Sequence, residues 1–303
     1  MNDTHENVPE LSVVVASATS AQDLTVFLDA LLRQCDGKDV EVIVSNCCQD
    51  DSLHGMDKKT PGVSFIQFDR KDILPTLWGA GIERSRGRII AVTDTTCPVE
   101  EGWVDSVLEA HESPHPVIGG AVEIGTCKRW VDWTAYFCEY AQFMRPLRDG
   151  YATELPGNNV SFKRSALQKG SEFTTNGFWK SYWCQRLQAE GIRLVSVPSI
   201  VVRYNKSYEL MPFMVRRFHH GRCFAGMRFP RSSVVKRVAY AVGSLLLPFV
   251  SLARIMRAVL PKKRYRWEFW VSFPVSVLAV VTWSAGELCG YVAGTGNSCA
   301  HIY

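Results

Sequence analysis

Short runs of β-branched and apolar residues, separated by stretches with helical spacing, most limit the folds open to this chain. Leu11–Ala16 reads as a buried strand. Ala21–Gln34 follows with Leu24, Phe27, Leu28, Leu31 and Leu32 on one helical face. Val40–Val44 and Val63–Phe68 read as further strands, and Ile73–Ser85 as a helix stopped near Gly87. Ile89–Thr93 is again a buried strand. Strands alternating with helices imply an α/β fold, with a mainly parallel sheet covered on both faces. No GxGxxG follows the first strand, which argues against the usual dinucleotide-binding arrangement.

The segment RIIAVTDTTCPVEEGW, Arg88 to Trp103, is the centre of this pattern. Its strand ends on Asp94, and open α/β sheets bind ligands at the carboxyl ends of their strands. The plainer alternative is that Asp94 caps a turn. Beyond it the sequence predicts a helix over Trp103–Ala110 and a strand over Val117–Ile124. An aromatic-rich helix, Trp130–Met144, comes next, then a strand over Asn158–Phe162 behind Pro156-Gly157. A helix over Trp179–Glu190 and an extended segment over Arg193–Arg203 complete this part.

Charge divides the chain unevenly. Between Lys206 and Arg266 there are fourteen Lys and Arg against one acid, Glu209, in a chain of net charge +4, so the remainder is acidic. Apolar runs interleave with these cations, which favours an anionic membrane surface over nucleic acid as the partner. Val238–Ala253 is an uncharged run interrupted by Pro248, and Phe269–Gly286 is a longer one. Against a need for about 20 apolar residues per span, the second is closer to a crossing helix. A hairpin of both would put the basic Lys262–Arg266 loop outside if the front part is cytosolic, against the positive-inside tendency. The first run is therefore expected to be interfacial or re-entrant, with two buried core helices as the soluble alternative. Ten scattered cysteines without a CxxC pair suggest reduced, mostly buried thiols. The polar start, MNDTHENVPE, carries no signal-peptide pattern.

Taken in order, LSVVVA, EVIVSN, LWGAGIERSRGRIIAVTD, CPVEEGW, ELPGNNVSFKRSAL and RLQAEGIRLVSVP resemble family 2 glycosyltransferases of the GT-A fold over about residues 11 to 205. The tail, with RRFHHGRCFAGMRFP and WSAGELCGYVAG, is similar to a bacterial membrane-associated branch of that family. The resemblance implies a polar tail at 1–10, a GT-A domain at 11–205, and a basic, membrane-associated helical region at 206–303. It also implies an inverting transfer of sugar from a nucleotide-sugar donor to an acceptor hydroxyl. Such chemistry needs charge to receive the leaving diphosphate, a general base for the hydroxyl, and a nucleotide pocket.

Residue by residue, the resemblance is incomplete. The family's Asp-x-Asp motif holds Mg or Mn through hard oxygen ligands; here it reads Asp94-Thr95-Thr96, so Asp94 is the one candidate metal ligand and Thr96 puts metal binding in doubt. The nucleotide-loop Asp corresponds to Asn46, with Asp50 and Asp51 just beyond, and Ser17 is a further donor-pocket candidate. Relatives place an acid at the start of the helix before RL, after a Trp. Trp179 is present, but Lys180 stands in the acid's place, and at ordinary lysine pKa it cannot accept a proton at neutral pH. Burial would be needed to change that. Glu123 and Glu172 are the nearest acidic substitutes, with surface ion pairing as their plainer role. Asn158 and Asn159 match the acceptor side, or serve as turn formers after Gly157. Arg217 and Arg222, in a cluster with Arg216, His219 and His220, are candidate phosphate contacts or headgroup contacts.

These expectations add up to a membrane-associated transferase at an inner or plasma membrane. Its catalytic domain would be cytoplasmic, and its acceptor a glycan or lipid-linked molecule of surface polysaccharide or glycolipid synthesis. The losses at Thr96 and Lys180 motivate a rival, a catalytically silent glycosyltransferase-like scaffold or binding protein. A transporter subunit is disfavoured, because two doubtful spans make no pathway.

Overall fold

The computed structural model describes residues 8–49, 60–126, 129–167, 177–228 and 234–302. The chain forms two compact units, one of residues 1–123 and 143–205, the other of residues 124–142 and 206–303.

The first unit holds an eight-stranded sheet in the order β3-β2-β1-β4-β7-β5-β8-β6. Its strands are β1 (Leu11–Ser17), β2 (Val40–Asn46), β3 (Val63–Gln67), β4 (Ile89–Asp94), β5 (Val117–Ile124), β6 (Gly150–Ala152), β7 (Val160–Lys163) and β8 (Leu194–Tyr204). The first four are mutually parallel. β7 runs antiparallel to both β4 and β5, so β5 shares the direction of the parallel set. The mainly parallel α/β sheet expected from the sequence is thus present. The three-residue strand β6 gave no periodic signal and was not foreseen.

Helices α1 (Ala21–Cys35), α2 (Leu74–Arg84) and α3 (Trp103–Glu112) follow β1, β3 and β4. A capping box starts α1: Ser20 Oγ accepts from the Asp23 amide, and the Asp23 carboxylate accepts from the Ser20 amide. β1 is buried on both faces, as its uninterrupted apolar run requires. One face packs Val14 and Ala16 with Leu77, Trp78 and Ile82 of α2. The same core takes Phe178, together with Trp183 and Leu187 of a helix over Lys180–Ala189, α5. Gly120 of β5 has no room for a side chain, since a Cβ there would collide with the carbonyl oxygen of Ile200 in β8.

The second unit is helical. It comprises α4 (Trp130–Tyr140), α6 (Leu210–Arg228), α7 (Val234–Gly243), α8 (Leu247–Val259) and α9 (Arg266–Ala293). The long helix predicted over Trp130–Met144 ends at Tyr140 and continues as a tight turn over Ala141–Phe143. α6 and α9 lie side by side in the same direction. Thr282 Oγ1 meets Met214 Sδ at 3.8 Å, and further on Arg222 Nε donates to the Gly294 carbonyl at 3.0 Å. Small residues allow this approach: a Cβ on Gly286 would land on the carbonyl oxygen of Phe218. α7 starts beside the far end of α9, where Arg237 donates to the carbonyls of Tyr291 and Val292 at 2.9 Å each. At the other end Lys262 donates to the carbonyls of Ala141 and Gln142 at 3.1 Å each. α6, the α7–α8 stretch and α9 therefore run up, down and up.

The cysteine expectation needs correcting. Cys223 of α6 and Cys299 form a disulfide across a sequence separation of 76, while Cys35, Cys47, Cys48, Cys97, Cys138, Cys184 and Cys289 are not disulfide-bonded. Spacing could not reveal this pair, because α6 and α9 bring its two ends together only on folding.

Candidate active site

Register alone assembles the first part of the site. Ser17 pairs with Asn46, Asn46 with Gln67, and Ala16 with Asp94. The carboxyl ends of β1, β2, β3 and β4 thus present Ser17, Asn46, Gln67 and Asp94 in one row, the ligand-binding edge of such a sheet. Pro98 and Gly102 turn the chain into α3 directly behind it.

Asp94 is buried, and its Oδ1 accepts from the Thr96 amide at 2.8 Å and from the Thr96 hydroxyl. Thr95 Oγ1 lies 2.9 Å from Thr19 Oγ1 of the β1–α1 loop. Trp78 Nε1 donates to the carbonyl of Thr93 at 2.7 Å, which ties α2 to the end of β4. Asn158 Nδ2 contacts Cys97 Sγ at 2.7 Å, joining the Pro156-Gly157 turn to the same rim. The sequence reading passed over Trp78, Thr95 and Cys97. The cue was available for Trp78, a buried indole in the helix preceding the Asp94 strand.

Asn46 is spent locally. Its Nδ2 donates to Gln67 Oε1 at 2.8 Å and to the Cys48 carbonyl at 3.2 Å, and its Oδ1 accepts from the Cys48 amide at 3.3 Å. This geometry shapes the loop, and Gln67 becomes part of the same polar edge. The Ser17 hydroxyl is buried and has no hydrogen-bond partner among the described residues. Asn159 is fully committed to the scaffold. Its Nδ2 donates to the carbonyls of Ala121 and Ile200 at 2.9 and 3.0 Å, and its Oδ1 accepts from Trp103 Nε1 at 2.9 Å. Both its donors and its acceptor are used to clamp β5, β7, β8 and α3 together.

Of the acidic substitutes, Glu123 at the end of β5 is buried, and its Oε1 accepts from the Arg145 amide at 2.8 Å and Nε at 3.3 Å. That pairing favours an ion-pair role over proton transfer. Glu172 lies outside the described residues, as do Asp50 and Asp51. Trp179 caps the start of α5. Next to it the Lys180 stem is half-exposed while its ammonium lies inside, donating to the Leu155 carbonyl. Burial pushes the Lys180 pKa down, against the pull of Cys184 and Glu154.

Arg217 and Arg222 belong to the second unit. Arg217 is buried with its guanidinium 4.3 Å from the centre of the Trp283 ring, and Arg222 donates to Gly294. Both cations of α6 are engaged by α9 and its C-terminal cap, which favours a structural role. Glu287 of α9 likewise accepts from Trp283 Nε1 at 2.6 Å and Tyr291 Oη at 3.0 Å.

The described residues include no group of three or more His, Cys, Asp or Glu able to hold a metal ion. Asp94 is a lone carboxylate with one oxygen held by Thr96. That is a poor set for a hard dication, which takes six or more oxygens.

Comparison with known proteins agrees with this fold. Residues 12–170 match the model for glycosyl transferase family 2. A solved mannosyltransferase from Pyrobaculum calidifontis, in complex with GDP-Man and Mn2+, is similar with a TM-score of 0.51 and 16% identity, over 96% of this chain and 78% of that one. No curated protein sequence matches the chain.

Proposed function

The chain belongs to glycosyl transferase family 2 and is a glycosyltransferase, and on that premise we propose that it moves a sugar, with inversion, from a nucleotide diphosphate to an acceptor hydroxyl held beside a membrane. The observation that carries this reading is Asp94, at the carboxyl end of the central strand β4, inside the matched residues. In a single displacement the acceptor oxygen attacks the anomeric carbon as its bond to the diphosphate breaks. Asp94 anchors the donor, Ser17 offers a hydroxyl to it, and the Asn46–Gln67 pair shapes the nucleotide side. The turn at Asn158 and Trp179 forms the acceptor side.

The membrane part of the reading rests on the tail. Val235–Lys262 and Arg266–Ala293 are helical stretches of 28 residues each. At 1.5 Å per residue that is about 42 Å, against a hydrocarbon core of about 30 Å. Phe249, Leu245, Leu246 and Val250 of the first are all exposed. The course of α6 bears on where the basic loop lies. It carries the chain to the disulfide end before the first apolar helix begins, so the Lys262–Arg266 loop returns to the end at Ala141 and Gln142. Both apolar helices then cross, the basic loop faces the cytoplasm, and the Cys223–Cys299 end lies in an oxidising compartment. A re-entrant or interfacial first segment, as the sequence suggests, is the alternative to this arrangement. Surface polysaccharide or glycolipid synthesis supplies acceptors of the required kind.

The test is release of free nucleotide from a panel of nucleotide sugars, GDP-mannose included, by the purified full chain in lipid nanodiscs. Turnover with one donor, lost on Asp94→Ala, is expected. Retained nucleotide binding with no turnover on any donor, with glycan or lipid-phosphate acceptors added, would instead select the silent scaffold that Thr96 and Lys180 motivate.

A further inference from the structure

Lys180 carries its ammonium into the interior of the first unit, and its position is not incidental. Its ammonium donates to one carbonyl, that of Leu155, and lies 6.0 Å from the centre of the Phe143 ring. Glu154 bears on it electrostatically, against the cost of its burial. Taking a charged group out of water is costly inside a protein. Scaffold needs alone do not call for a lysine here, because a carbonyl can be satisfied by a neutral donor.

The rim of the candidate site leads straight to this side chain. Asp94 is held by Thr96, Cys97 follows and meets Asn158, and Gly157 precedes Asn158 in the turn. A Cβ built on Gly157 would lie 3.7 Å from Lys180 Cε and 3.9 Å from Trp78 Cη2. Trp78 at its other end binds the Thr93 carbonyl, next to Asp94. Gly157 thus sits next to both Lys180 and the far edge of the indole whose other end is bonded beside Asp94. A hydrogen in place of a side chain at Gly157 leaves the lysine stem uncovered on that side.

We propose that Lys180, as a free amine, is the general base that takes the proton from the acceptor hydroxyl. The inference rests on the glycosyltransferase reading above. In the step, the acceptor O–H bond breaks and its proton goes to the Nζ lone pair. The oxygen forms the new bond to the anomeric carbon, and the electron pair of the old bond leaves on the diphosphate. The ammonium then returns its proton to solvent. The Leu155 carbonyl fixes one N–H of the amine and leaves its lone pair uncommitted. Two titratable groups bear on Lys180: Cys184, one turn on in α5, and Glu154 beside Leu155. Both favour the charged form and burial opposes them. The Cys184 thiol is itself pushed up to about 11 by burial, so at neutral pH it is an uncharged neighbour.

Two measurements on the full chain in nanodiscs test this. The first is the titration of lysines carrying 13C-methyl labels, with the Lys180 signal assigned from its absence in Lys180→Arg. A signal titrating well below the other lysines is expected. Titration alongside them, near about 10.4, overturns the proposal. The second is nucleotide release from the donor that supports turnover, together with binding of the free nucleoside diphosphate. Lys180→Met and Lys180→Arg should bind nucleotide like the wild type yet lose turnover by about 100-fold or more. Lys180→Glu should recover part of it, with the rise of activity moved to lower pH. Turnover kept in Lys180→Arg would make the group a fixed cation and overturn the base. Wild-type protein that binds no nucleoside diphosphate would remove the donor reading, and this proposal with it, whatever the lysine titration shows.

Discussion

Thr96 closes on Asp94 twice, through its amide at 2.8 Å and through its hydroxyl, both to the single oxygen Oδ1. The residue that replaces a second carboxylate therefore acts as a donor to the first. Charge-assisted bonds of this kind hold a carboxylate in one orientation. Asp94→Asn should lower donor turnover by about 100-fold, measured as nucleotide release. Thr96→Asp should tighten Mn(II) binding at least about tenfold, measured by titration calorimetry, because it restores a hard oxygen ligand beside Asp94.

Asn159 makes three buried hydrogen bonds across β5, β7, β8 and α3. Asn159→Leu leaves two carbonyls and an indole N–H without partners. It should destabilise the first unit by about 3 kcal/mol or more, read from urea unfolding. A pocket role alone would instead raise KM for the acceptor and leave the unfolding midpoint in place.

His111 of α3 is buried and its Nε2 lies 2.8 Å from Ser161 Oγ. Burial, helped by Lys163, lowers its pKa from 6.5 to about 4. The unfolded chain therefore binds the proton more tightly. The stability associated with neutral His111 is fully present above about 6.5 and is lost as pH falls toward about 4. The loss amounts to roughly 3 kcal/mol at 1.36 kcal/mol per unit. His111→Gln should flatten the pH dependence of the unfolding midpoint across that window.

Peptide mapping under non-reducing conditions should recover Cys223 joined to Cys299, with Cys35, Cys47, Cys48, Cys97, Cys138, Cys184 and Cys289 alkylated after denaturation. Cys299→Ser should destabilise the α6–α9 pair by about 2–4 kcal/mol. An intact protein with no such cross-link after isolation from a membrane would count against the oxidising placement of that end.

Legibility tracked distance along the chain. Strand β5 was read to the residue and β1, β2 and β4 to within two, because short continuous apolar runs and β-branched side chains act through neighbouring residues. Asp94 at the end of β4 was visible for the same reason. The amide of Asn159 was read as acceptor-facing, yet its partners Trp103, Ala121 and Ile200 lie 56, 38 and 41 residues away. Lys180 at ordinary lysine pKa cannot act as a base, and the burial that would change this depends on Phe143 and Leu155, brought in from elsewhere in the chain.

The sequence by itself determined the α/β layering, the approximate positions of the main strands and the carboxylate at the sheet's edge, since each follows from local backbone preference and the need to bury an apolar face. Only the tertiary structure decided which polar groups are spent on the scaffold and which cysteines join. It alone set the direction in which α6 carries the chain, and the environment of the one lysine at the rim. Those outcomes depend on partners far apart in sequence, whose hydrogen bonds and desolvation exist only once the segments pack.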